Sequence, residues 1–151
     1  MYTLLKAILL SIAPISELRG GIPYAIGLGI TPWTAFFWCT LFNILIIPVI
    51  FLFLNYLHKH FYKVRPYKIC FDKVVNRAIR KYTKHAGTKW EYPILFLLVA
   101  IPLPGTGGYT GALVAWLFGL KRRKSILTII LGVITAGILV TFISLGIFSL
   151  F

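Results

Sequence analysis

Long apolar stretches alternate along the chain with short breaks rich in glycine and proline, and one polar block divides the pattern in two. The first stretch, residues 2–32, is interrupted at Ala13-Pro14-Ile15-Ser16-Glu17-Leu18-Arg19-Gly20-Gly21-Ile22-Pro23. Each arm beside this break has about a dozen residues and rises ~18 Å at ~1.5 Å per residue, short of a ~30 Å hydrocarbon core. The unit reads either as one broken spanning helix or as a re-entrant hairpin. Non-helical backbone at membrane depth is tolerated only inside protein or against a water-filled cavity. Residues 33–57 predict a full span kinked at Pro48, with Thr34, Cys39, Thr40 and Asn43 as its small or polar interruptions. Asn43 reads first as an interhelical hydrogen-bonding residue and second as a substrate contact.

Residues 58–91 are polar and basic. Within them Tyr67, Phe71, Val74, Val75, Ala78, Ile79 and Tyr82 recur at helical spacing, with Lys68, Lys73, Arg77, Arg80, Lys81 and Lys84 on the other faces. Pro66 suits the start of such a helix and Gly87 its end, which predicts an amphipathic helix lying in the cytoplasmic interface. Residues 92–120 repeat the opening pattern: a short arm over 93–101, the break Pro102-Leu103-Pro104-Gly105-Thr106-Gly107-Gly108-Tyr109-Thr110-Gly111, and a second short arm. The basic block Lys121 to Lys124 follows, then an uncharged run over 125–151 long enough to span.

Charge sets the expected topology. Basic segments flank residues 92–120 on both sides and belong in the cytoplasm, so that unit enters and leaves on one side, as a re-entrant hairpin does. The halves 1–57 and 92–151 match as arm, break, arm and span, in one membrane domain joined by residues 58–91. Gly20-Gly21 and Gly107-Gly108 sit at equivalent points. Small residues follow at helical spacing, Gly21, Ala25 and Gly29 in one half and Gly107, Gly111, Ala115 and Gly119 in the other. Such stripes let helices approach closely. The expected fold is all-α and polytopic, with two broken hairpins and two spans in an inverted repeat whose breaks meet near the midplane. For the first unit a broken spanning segment stays open.

Composition agrees with this class. Hydrophobic residues make up 59% of 151 positions, more than a soluble domain of that size needs. The net charge of +13 is concentrated in the two basic segments beside the spans. The positive-inside rule and anionic lipid headgroups account for it without nucleic acid. Met1 to Ala13 resembles a signal peptide, but no basic region precedes its apolar run and Pro14 would follow the cut, so it is expected to stay in the mature chain. Cys39 and Cys70 lack the spacing of a metal or redox pair, and His58, His60 and His85 lack a matching set of acidic or cysteine ligands. Trp33, Trp38, Trp90 and Trp116 read as interface anchors. Neither a metal, a cofactor nor an enzymatic reaction is expected, since no nucleophile–base arrangement or phosphate-loop signature is present.

The chemistry therefore rests on the breaks. Glu17 is the only acid outside the basic segments, and a carboxylate at membrane depth must face protein or a wet cavity. Glu17 and Arg19 either satisfy freed backbone groups as a structural pair, or act as a titrating acid and an anion-attracting base. Burial raises a carboxylate pKa and a nearby cation lowers it, so the direction is not fixed by sequence. Gly105-Thr106-Gly107-Gly108 can present amides as a nest, and the arms after each break point positive helix ends inward. That arrangement suits an anionic group such as a lipid phosphate.

Glu17-Leu18-Arg19-Gly20-Gly21-Ile22-Pro23, with Pro102-Leu103-Pro104-Gly105-Thr106-Gly107, resembles the family of small multi-drug export proteins, related to the DedA superfamily whose eukaryotic relatives are lipid scramblases. The resemblance covers nearly the whole chain. It implies two facing re-entrant hairpins, a transport role, and for Glu17 the place of the acid needed for proton coupling. The chain departs from the wider pattern in lacking a second intramembrane acid and an arginine in the second break, where Thr106 and Tyr109 are the polar groups.

The expectation is a multi-pass protein of the cell membrane that translocates or scrambles a lipid or anionic amphiphile. Its site would comprise Glu17, Arg19, Gly20, Gly21 and Pro23 from one break, with Pro102, Pro104, Gly105, Thr106, Gly107, Gly108 and Tyr109 from the other. Its partners would be lipid headgroups, a proton as coupling ion and a second copy in a homodimer. The alternatives are a proton-coupled exporter of small molecules and a non-transporting membrane scaffold.

Overall fold

A computed structural model describes residues 2–13, 16–57, 90–102 and 106–148, with the isolated positions 69, 72 and 76. Apart from those isolated positions and residues 90–91, the amphipathic segment expected over 58–91 lies outside the described residues, with its histidines and Cys70. So do Pro104 and Gly105.

The described residues form six α-helices: α1 (Tyr2–Ile12), α2 (Glu17–Gly27), α3 (Pro32–Leu52), α4 (Glu91–Ala100), α5 (Gly108–Leu117) and α6 (Arg122–Phe148). The last turn of α3 widens into a π-helix over Phe53–Leu57. α3 begins at Pro32, whose missing N–H costs nothing in a first turn, and runs through Pro48.

α1 and α2 do not continue one another. Gly21 of α2 lies against the backbone of Ala7 and Ser11 in α1, where an added Cβ would stand 2.6 Å from the Ala7 carbonyl oxygen. In one continuous helix those positions would be about 21 Å apart. The chain therefore doubles back between them. The second pair does the same: a Cβ on Gly111 of α5 would stand 2.6 Å from Val99 Cγ2 of α4. The small-residue stripes thus bring paired short helices together.

Both second arms end in the same way. Ile30 N–H donates to Ala25 O and Gly29 N–H to Ile26 O, with Gly29 at φ 83°. Leu120 N–H donates to Ala115 O and Gly119 N–H to Trp116 O, with Gly119 at φ 64°. This is the Schellman cap, which needs a left-handed residue and so favours glycine. Its two glycines stand ninety positions apart, and Gly21 with Gly111 and Ala25 with Ala115 keep that spacing. The helix ends therefore move the match between the halves. Gly107 answers Glu17 rather than Gly20, and Asn43 answers Val133.

α3 and α6 cross antiparallel. Gly137 faces Thr40 and Phe36 early in α3, while Asn43 and Val133 both border Gly108. Buried apolar residues from all six helices, among them Ala7, Ile22, Ile47, Val99, Val114 and Ile129, form one core. The outer faces are apolar as well: Trp33, Phe37 and Leu45 of α3 and Leu127, Leu131 and Phe142 of α6 are exposed.

Candidate functional site

The two breaks meet. α5 starts after Gly107, which as an N-cap has no side chain to satisfy the first amides of its helix. Glu17, from the other half, takes that role. Its Oε1 accepts the Tyr109 N–H at 3.4 Å, and the Gly108 amide lies beside the same carboxylate. A negative group at a helix N-terminus is also favoured by the helix dipole.

Local conformation explains why these two residue types stand here. Glu17 has φ 45°, the one non-glycine residue with positive φ among those described. Such a residue costs about 1–3 kcal/mol and persists only where its surroundings enforce it. Gly107 has φ 152° and ψ −162°, a region open essentially to glycine alone. A Cβ on Gly107 would fall on the Glu17 carboxylate. Glycine is thus required twice there, for its backbone and for the space it leaves.

Arg19 reaches across in the same direction. Its Nη2 donates to the Thr106 carbonyl oxygen and, at 3.0 Å, to Thr106 Oγ1, which in turn donates to Ile101 O at 3.0 Å. Tyr109 OH donates to Ile12 O at the end of α1. Among the described residues no ion pair within hydrogen-bonding range joins Glu17 to Arg19. The carboxylate goes to backbone amides and the guanidinium to a carbonyl, as the structural reading of the pair expects. Both partners, however, belong to the opposite break.

Glu17, Arg19, Thr106, Gly107, Gly108 and Tyr109 are therefore brought together. Gly20 packs against Ser16, and Gly21 serves the α1–α2 contact. Pro23 lies inside α2, where it cannot donate to the Arg19 carbonyl. Pro102 is half-buried just after α4. At the described end of the nest expected to receive a headgroup, the Gly108 and Tyr109 amides meet the chain's own carboxylate. Beside it, Glu17, Arg19, Asn43, Gly108 and Val133 line a notch of about 10 Å³, room for one water molecule and not for a headgroup.

Sequence reasoning left Asn43 outside the site. It is buried on α3, lines the notch, and its Nδ2 donates to Ser11 O at 2.6 Å. That bond to α1 is the interhelical hydrogen bond expected of a lone amide in an apolar span, while its position beside the two breaks is not readable from the sequence.

Two helices, Pro32–Tyr56 and Arg122–Ile147, are long and apolar enough to cross a membrane, and only a third of each is buried. Exposed tryptophan, leucine and phenylalanine along such helices suit lipid and not water. An all-helical membrane protein with a polar contact between two chain breaks is what fold and site together define. The family model described as "Putative small multi-drug export protein" matches residues 17–139, and the chain belongs to that family. No curated protein and no solved structure matches it.

Proposed function

We propose that the protein moves a lipid or another amphiphile with an anionic head across the membrane, through a site where two re-entrant hairpins meet. The observation that carries this reading is the seating of Glu17 on the α5 amides beside Arg19. A site that holds a carboxylate on helix-end amides also suits a phosphate or carboxylate headgroup. Protonation of Glu17 weakens its hold, and the incoming anion takes the amides and the guanidinium in its place. The proton and the substrate then compete through one small group of donors, as coupled exchange requires. Acyl tails remain in the bilayer, so no wide cavity is needed.

The halves are read as an inverted repeat. Antiparallel α3 and α6 crossing at Asn43 and Val133, and contact between Glu17 and Gly107, are what a two-fold axis in the membrane plane produces. In this reading residues 58–91 and 121–124 face the cytoplasm, and the protein works as a homodimer. The family's description favours a second reading, a proton-coupled exporter of small molecules.

Reconstitution into liposomes separates the two. Purified protein that scrambles labelled phospholipid or carries a polyprenyl phosphate supports the first reading, and Glu17→Gln and Arg19→Ala should each abolish the activity while folding persists. Proton-gradient-dependent uptake of drugs into inverted vesicles, without lipid movement, supports the second. Absence of both sinks transport altogether and leaves a scaffold.

A further inference from the structure

The notch beside Glu17 contains a polar atom that the transport reading does not use. Asn43 is 1% exposed in the middle of α3, and its amide is only half satisfied. Nδ2 donates to Ser11 O in the last turn of α1, whereas Oδ1 has no partner among the described residues and faces the notch beside Gly108. Oδ1 opens onto the notch rather than being sealed off, the fully buried side-chain oxygen without a partner among the described residues being Thr40 Oγ1. An acceptor cut off from bulk water is almost always met by protein or ordered water. The notch is about 10 Å³ in volume, and three polar side chains, Glu17, Arg19 and Asn43, line it. One water with about three hydrogen bonds fits those numbers.

We propose that the notch is a water site and that Asn43 is a positioning residue for Glu17 through it. The water donates one O–H to Asn43 Oδ1 and the other to the Glu17 carboxylate, and it accepts from the Arg19 guanidinium. When Glu17 is protonated, its O–H donates to the same water, which turns its freed hydrogen away. The carboxyl group thus keeps a hydrogen-bond partner in both states. Arg19 and Tyr109 are the other titratable groups acting on Glu17. Val133, Ala136 and Val140 of α6 and Val99 of α4 bring only apolar side chains to the notch. The inference deepens the transport reading, but it is tested without transport, so the two stand or fall separately.

The chain has only three acidic residues, so the infrared carboxyl region of the purified full-length protein is nearly free of overlap. The Glu17 band is assigned by its loss in Glu17→Gln, recorded while the pH is lowered until the group is protonated. In Asn43→Val the band should shift to higher wavenumber, the mark of a carboxyl that has lost a hydrogen-bond partner. Asn43→Thr, which has the shape of valine but a hydroxyl to hold the water, should keep it near the wild-type position. A band unmoved in Asn43→Val, with the helical circular dichroism intact, overturns the proposal and leaves Asn43 as a cap on α1. Should the valine variant not fold, a high-resolution structure of the wild type decides. Ordered water bonded to both Asn43 and Glu17 supports the site, and an empty notch refutes it.

Discussion

The two hairpin tips are built on one plan and differ at the positions that matter. After each break a short helix begins with a residue of positive φ, carries a glycine and an alanine at helical spacing, and ends in a Schellman cap. In the first half that opening residue is Glu17, and in the second it is Gly107. At the crossing of the long helices the first half supplies Asn43 and the second Val133. One half contributes side-chain chemistry, while the other contributes space and backbone donors. A symmetric pair would fail in either direction, since two carboxylates would repel each other and two glycines would leave the α5 amides bare. The shared plan brings the two breaks together, and the difference between them decides which gives the carboxylate and which gives the amides.

The most damaging test of this comparison is Gly107→Ala. The new Cβ meets the Glu17 carboxylate and the backbone leaves its favoured region, so destabilisation of about 3 kcal/mol or more is expected. Thermal unfolding in detergent measures it. In a Glu17→Ala background the steric part of the penalty disappears, and a double-mutant cycle should return a coupling of about 1–3 kcal/mol. Additive effects would mean that Gly107 serves its own backbone only, and the complementarity of the halves would be lost.

Next comes Arg19→Lys. Both bonds leave one nitrogen, Nη2, held at the end of a long side chain by a rigid planar group, and lysine's ammonium on a shorter, more flexible stem is a poor substitute. Stability should fall by about 1–2 kcal/mol, and most of the proposed transport activity should be lost. Lysine restoring both in full would reduce Arg19 to a bare positive charge. Tyr109→Phe is milder. It removes one hydroxyl donor and leaves the Ile12 carbonyl to find another, at a cost of about 1 kcal/mol.

Much of this arrangement was legible in the chain. The apolar runs gave both long helices to within a few residues, because bilayer-length apolar sequence has few other uses. The breaks stood out because Glu17 and Arg19 interrupt apolar sequence. That the carboxylate takes amides and the guanidinium a carbonyl is one of the two sequence readings, but which half supplies those partners is not legible. Charge alone suggests that Glu17 faces Arg19, two positions away, but a bare glycine N-cap in the other half competes for the carboxylate and takes it. Register is ambiguous in the sequence for a similar reason. Paired glycines look alike in sequence, although Gly20 and Gly21 serve helix packing and Gly107 serves a turn that only glycine can make. Glycine identity does not say which of those jobs it does.

A contrast between two glycines, one of them expected to have almost no effect, separates these jobs within α6 itself. Gly132 lies against α4, where an added Cβ would stand 2.7 Å from Val99 Cβ and 3.3 Å from the Phe96 carbonyl oxygen. Neither atom is the free end of a flexible side chain, so Gly132→Ala must push α4 and α6 apart, at a cost of about 1–3 kcal/mol. Gly146, near the end of the same helix, has nothing within 4 Å of the corresponding point. Gly146→Ala should therefore be neutral or stabilise by up to about 1 kcal/mol, since alanine loses less backbone entropy in a helix. Paired unfolding curves measure the difference. Equal changes in the two variants would mean that α4 does not press on α6 at Gly132. The second hairpin would then lack the long-helix support that sets Gly107 opposite Glu17.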